Sequence, residues 1–198
     1  MLAVMRPVAL ATAAALSMGV FQGAAADSSK GELLFETCLG CHGIPGYKNN
    51  YPTYKVPMLG GQSEQYIVDA LTAYKNGARK HETMHAQASS LSTDDMRAIA
   101  SYLSTTTEVS SEAKGEAPAA AAACSACHGP NGKAIAPNFP SLAGQHADYL
   151  EFSLKRYRSG ERSNAIMAGF AGNLDDDTIK ALAAYFSKQQ DGLATVKR

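Results

Sequence analysis

The pattern Cys-x-x-Cys-His occurs twice, as Cys38-Leu39-Gly40-Cys41-His42 and as Cys124-Ser125-Ala126-Cys127-His128. Two thiols at this spacing reach the two vinyl groups of one porphyrin, and the histidine that follows is then held against the ring face. The two copies use all four cysteines of the chain. The pattern therefore predicts two covalently attached haem c groups, bonded through Cys38 and Cys41 and through Cys124 and Cys127. His42 and His128 are the predicted first axial ligands. Other readings fit less well. A structural zinc site needs its ligands gathered around one ion, and these triplets lie far apart in sequence. A thioredoxin-like pair needs strands around it, and no strand-like alternation flanks either motif. Two disulfides would account for four cysteines but not for a histidine after each pair.

The amino terminus predicts export. Met1 to Arg6 is short and basic, Val8 to Phe21 is mostly apolar, and Ala24-Ala25-Ala26 is a small-residue cleavage site before Asp27. This is the order of a secretory signal peptide, over residues 1–26. The apolar run is short for a membrane-spanning helix. The expected location is outside the cytoplasm, which in a Gram-negative cell is the periplasm. Formal net charge is zero, which gives no support to a nucleic-acid role. The halves differ: Asp27 to Glu112 holds seven Lys/Arg against ten Asp/Glu, and Ala113 to Arg198 holds ten against eight. Two readings stand: a charge dipole that orients an approaching partner at low salt, or scattered solvated charge with no steering role.

The chain is one unit written twice. Pro57 to Ser104 aligns without gaps on Pro140 to Ser187, and roughly a third of the positions are identical. Pro57-Met58-Leu59-Gly60-Gly61-Gln62 faces Pro140-Ser141-Leu142-Ala143-Gly144-Gln145, and Tyr66, Tyr74, Gly77 and Arg79 face Tyr149, Tyr157, Gly160 and Arg162. Each copy has apolar residues at helical spacing: Ile67, Ala70, Leu71 and Tyr74, then Met96, Ile99, Ala100 and Leu103, with matching stripes in the second copy. Ser92 and Asp175 are predicted N-caps of the last helices. A short helix is expected from about Lys30 into Cys38. The fold class is all-α, with units at 27–105 and 117–198. The segment 106–116, rich in Thr, Ser and Glu, reads as a linker. Each unit has a thin apolar stock, so its core is expected to depend on the haem, and the apo units are expected to fold poorly.

The second axial ligand should be present in both copies. Of the methionines after Asp27, Met84 aligns with Met167, whereas Met58 faces Ser141 and Met96 faces Ile179. Met84 and Met167 are thus the predicted ligands. A thioether favours ferrous iron and raises the reduction potential. His85 is a rival at the first iron, and His81 also flanks Met84, but they face Ala168 and Asn164. His146 reads as a surface or capping residue. Pro57 and Pro140 are placed to offer a carbonyl to the histidine imidazole, and Leu59 and Leu142 to cover the porphyrin, while Arg79 and Arg162 either hold a propionate or stand as solvated surface charges. Tyr66, Tyr74, Tyr149 and Tyr157 read as core residues with a wet hydroxyl.

The chain resembles di-haem cytochromes c of the cytochrome c4 type. The resemblance rests on the two haem motifs, Pro-x-Leu-x-Gly-Gln after each, Tyr-x-x-Gly-x-Arg before each methionine, and Leu-x-x-Asp opening each last helix. It implies two tandem class I cytochrome c domains with their haems near the domain interface. It implies single-electron transfer in the periplasm between redox proteins, often to a membrane-bound oxidase or from a dehydrogenase, and in some members from a peripheral association with the membrane. No small-molecule substrate is expected, because both axial positions are filled. The rival functions are the cytochrome subunit of an oxidoreductase, such as a sulfide-oxidising flavocytochrome, and a catalytic di-haem protein with an exchangeable ligand. Two departures stand out. Alanines occupy the place of Phe35 in the second unit, leaving less to pack on Tyr185 and Phe186. The loop Tyr47 to Tyr54 is longer than its counterpart, and is expected to cover the first haem or face a partner.

Overall fold

The computed structural model describes residues 23–48 and 53–197. The predicted leader lies outside these residues except for its last four, as does the middle of the Tyr47–Tyr54 loop. Among the described residues every regular element is helical, with only two isolated bridges, Lys48 with Lys55 and Gly60 with Ala194. The first copy contains α1 (Gly23–Phe35), α2 (Leu39–His42), α3 (Glu64–Lys75), α4 (Glu82–Ser89) and α5 (Thr93–Thr105). The second contains α6 (Ala121–His128), α7 (Ala147–Ser159), α8 (Ala165–Ala171) and α9 (Asp176–Ser187).

The last helix of each copy starts where its cap requires. Ser92 accepts from the Asp95 N–H at 3.1 Å, and the Asp95 carboxylate in turn accepts from the Ser92 N–H at 3.0 Å, closing a capping box. Asp175 accepts from the Thr178 N–H at 2.7 Å. Behind the caps the apolar stripes turn inward. Ile99, Ala100 and Leu103 bury against Phe35 and Ile67, while Leu182, Ala183, Tyr185 and Phe186 bury against Ala121 and Leu150.

Two strands of irregular chain cross between the copies. After α5, Val109 packs with Ala143 and Leu193 against Met58, and the Ser110 carbonyl accepts from the Asn131 amide at 2.6 Å. The linker segment 106–116 thus has contacts of its own with the second copy. After α9 the chain turns back. Leu193 N–H donates to the Ala143 carbonyl at 2.8 Å, Ala194 exchanges two backbone bonds with Gly60, and Val196 enters the core of the first copy.

Candidate haem sites

In the first copy, α1 ends at Phe35, and a turn carries Cys38 into the single helical turn α2, which bears Cys41 and His42. In the second copy, α6 runs without a break through Cys124, Cys127 and His128. Local geometry differs, but both routes bring the histidine to the same partner. His42 Nδ1 lies 2.9 Å from the Pro57 carbonyl oxygen and His128 Nδ1 lies 2.8 Å from that of Pro140. A carbonyl only accepts, so Nδ1 carries the proton in each ring and the Nε2 lone pair is left for a metal. Burial holds both imidazoles below the ordinary histidine range, partly opposed by the proline carbonyl, so both are neutral near pH 7.

The four cysteines are half-buried and unpaired by disulfides. Burial pushes the Cys38 and Cys124 thiols above their ordinary value. Leu59 and Cys38 border the first core, and Leu142 and Cys124 border the second. Among the described residues no group of three or more His, Cys, Asp or Glu side chains is arranged to hold a metal ion by itself.

Met84 and Met167 occupy the same place in short helices packed on α3 and α7. Each is half-buried, and each has its backbone N–H held by an N-cap side chain: His81 Nδ1 at 3.3 Å and Asn164 Oδ1 at 3.0 Å. His81 is thus engaged as a cap. His85 Nδ1 donates to the Tyr74 carbonyl at 2.8 Å. His146 stands at the N-cap of α7 without a side-chain cap bond.

Arg79 and Arg162 form a feature that the sequence did not reveal. Each lies over the tyrosine of its own copy, Tyr74 or Tyr157, 4.5 Å from the ring centroid. Each then reaches across the boundary: Arg79 donates to the Tyr149 hydroxyl at 2.7 Å and Arg162 to the Tyr66 hydroxyl at 3.0 Å. Burial alone would raise Tyr149, but Arg79 and Arg162 bring it down to about 8. For Tyr157 burial dominates, and it is pushed up to about 12. Among the described residues neither arginine has a carboxylate within ion-pair distance. Tyr54, at the end of the long loop, is buried on the second copy, stacked on Phe152 with centroids 4.3 Å apart.

The donor set fits a covalently attached haem in each copy. There is a free thiol pair, a neutral imidazole protonated at Nδ1, a methionine whose backbone N–H is capped, and, among the described residues, a guanidinium group with no carboxylate of its own to oppose a propionate. The cytochrome c family profile matches twice, at residues 28–107 and 112–190. Cytochrome c4 of Pseudomonas aeruginosa is 33% identical over 180 residues, 82% of this chain and 88% of that one. A thiosulfate dehydrogenase electron acceptor of Thiomonas intermedia is 33% identical over 172 residues, 77% of this chain and 78% of that one. The crystal structure of reduced cytochrome c4 from Pseudomonas stutzeri superposes with a TM-score of 0.65 at 31% identity, covering 86% of this chain and 98% of that one.

The chain belongs to the cytochrome c family. Within it the chain is a tandem member of the cytochrome c4 type, all-α, with two covalently bound haem c groups, and it serves as an electron carrier. Among the described residues no helix is long and apolar enough to cross a membrane.

Proposed function

We propose that this protein carries single electrons between redox proteins in the periplasm, after removal of a leader at residues 1–26. In this reading Cys38 and Cys41 bind the first haem, with His42 and Met84 on its iron. Cys124 and Cys127 bind the second, with His128 and Met167. Bound haem would supply reversible one-electron exchange at its iron. The chain's own part is to hold the imidazole protons at Nδ1, fix the methionine backbones by caps, cover the rings with Leu59 and Leu142, and set Arg79 and Arg162 beside the propionates. The observation that carries the reading is the pair of imidazoles held at 2.9 and 2.8 Å by equivalent proline carbonyls, each directly after a thiol pair.

The acceptor in this proposal is a membrane-bound oxidase. The donor is a periplasmic dehydrogenase, a choice favoured by the relatives named as thiosulfate dehydrogenase electron acceptors. Contact with the membrane would be peripheral and through the partner.

Axial closure is the property to test. The ferric protein should show the weak methionine–iron charge-transfer band, and the ferrous protein should resist carbon monoxide. Met84→Ala and Met167→Ala should each open one iron to carbon monoxide and lower that haem's potential. The shift should be a sizeable part of the ~0.8 V over which axial ligands set haem potentials. Rapid carbon monoxide binding by the unaltered protein would reject the reading, as would the same loss on Met58→Ala in place of Met84→Ala.

A further inference from the structure

Both copies of Pro-x-Leu-x-Gly-Gln end in a buried glutamine, Gln62 and Gln145. Gln62 and Gln145 are only 5% and 4% exposed, and buried amides need partners. They find them across the boundary. Gln145 Oε1 accepts from the Met58 N–H at 3.0 Å, and its Nε2 donates to the Met58 carbonyl at 2.9 Å. Gln62 Oε1 accepts from the Ser141 N–H at 2.8 Å, and its Nε2 donates to the Ser141 carbonyl at 3.0 Å. Each Oε1 also takes the N–H of its own next residue, Ser63 at 2.9 Å or His146 at 3.0 Å. Both side-chain amides are therefore fixed in orientation.

Met58 and Ser141 directly follow the two prolines whose carbonyls hold the histidines. The Pro57–Met58 peptide group is thus bonded at both ends. Its C=O accepts from His42 of its own copy, and its N–H donates to Gln145 of the other. The Pro140–Ser141 peptide is bonded to His128 and Gln62 in the same way. Hydrogen bonds through one peptide group polarise each other. Engaging the N–H makes the C=O a stronger acceptor, and a stronger acceptor on Nδ1–H makes the imidazole more basic at Nε2. A more basic axial nitrogen favours ferric iron and lowers the potential.

We propose that Gln62 and Gln145 are positioning residues that act across the boundary: Gln145 sets the hydrogen bond at His42, Gln62 sets that at His128, and each copy thereby tunes the other's iron. The inference rests on the reading that His42 and His128 bind iron.

The test uses the full di-haem protein with Gln145→Leu and Gln62→Leu. The potential of each haem is followed by spectroelectrochemical titration, with the haems told apart by the NMR signals of their bound methionine methyls. Gln145→Leu should raise the potential of the first haem and leave the second in place; Gln62→Leu should do the reverse. The methionine–iron band should persist in both. If a variant moves the potential of its own copy, moves both alike, or moves neither, the proposal fails; movement of both alike is what a loosened interface would give. A separate measurement needs no substitution. Amide exchange in the unaltered protein should show the Met58 and Ser141 N–H groups slowed by at least roughly 100-fold relative to unbonded amides, and unprotected exchange would also overturn the clamp. Absence of the methionine–iron band from the unaltered protein would instead strike the ligand assignment, which keeps the two failures apart.

Discussion

The two copies differ most where the first helix meets the last. In the first, α1 lies so close to α5 that a Cβ on Gly31 would sit 1.9 Å from the Ala98 carbonyl oxygen, and Phe35 fills the core beneath. In the second, α6 begins only at Ala121, the residue that matches Phe35, so the crossing is not repeated. The missing ring comes from the facing helix. Phe186 stands where the first copy has Leu103, and it packs edge-to-face on Tyr185 with centroids 5.1 Å apart. Tyr185 is tied down by a 2.7 Å bond from its hydroxyl to the Pro130 carbonyl. Core volume has moved from one helix to the other, while the thiols, imidazoles, glutamines and arginines keep their places. Packing asks for total volume; a ligand or a boundary hydrogen bond asks for a particular atom at a particular position.

The strongest way to break this comparison is through the exchanged rings. Phe35→Ala should cost ~3–5 kcal/mol in the first copy, read by denaturant unfolding of the haem-loaded protein. Adding Leu103→Phe should restore at least ~1 kcal/mol, because the second copy already uses that pairing. No recovery would mean that the two cores are unrelated solutions. Next in size is Val196→Ala. Removing two buried methyl groups should cost about 2 kcal/mol, and the loss should appear in the unfolding of the first copy although the residue follows the second.

The smallest effect separates the two caps. The Lys30 ammonium and the Ser92 hydroxyl and N–H hold the Asp95 carboxyl well below the usual carboxylate range, and the Thr178 N–H and hydroxyl lower Asp175. A carboxylate whose folded value is depressed adds stability above its unfolded value, ~4, and loses it as pH falls toward the folded value. Melting of the haem-loaded protein below about pH 4 should therefore flatten more with Asp95→Asn than with Asp175→Asn.

Much of this was legible in the sequence because its causes are local. The thiol–histidine motif, the caps at Ser92 and Asp175 and the alignment of Met84 with Met167 each depend on a few neighbouring residues or on simple repetition. The glutamine clamps were not legible. Gln62 and Ser141 are 79 residues apart and Gln145 and Met58 are 87 apart, and a Gly-Gln pair read alone suggests a turn. The bonds of Arg79 and Arg162 to the tyrosines of the opposite copy were not legible either, since these partners lie 70 and 96 residues away. Val109 was hidden for a different reason: one apolar residue in a polar run makes no stripe. Repetition still carried a signal, since the glutamine recurs at the same place in both copies, as Gln62 and Gln145.

The returning tail has a consequence for the order in which the molecule is completed. Val196, near the carboxyl end, closes the core around Phe35 and Ile67. Synthesis runs from amino to carboxyl end, so Cys38 and Cys41 emerge more than a hundred and fifty residues before that core can seal. The first thiol pair thus stays outside a closed core until Val196 docks, and a late seal of this kind leaves room for a bulky planar group to be joined first.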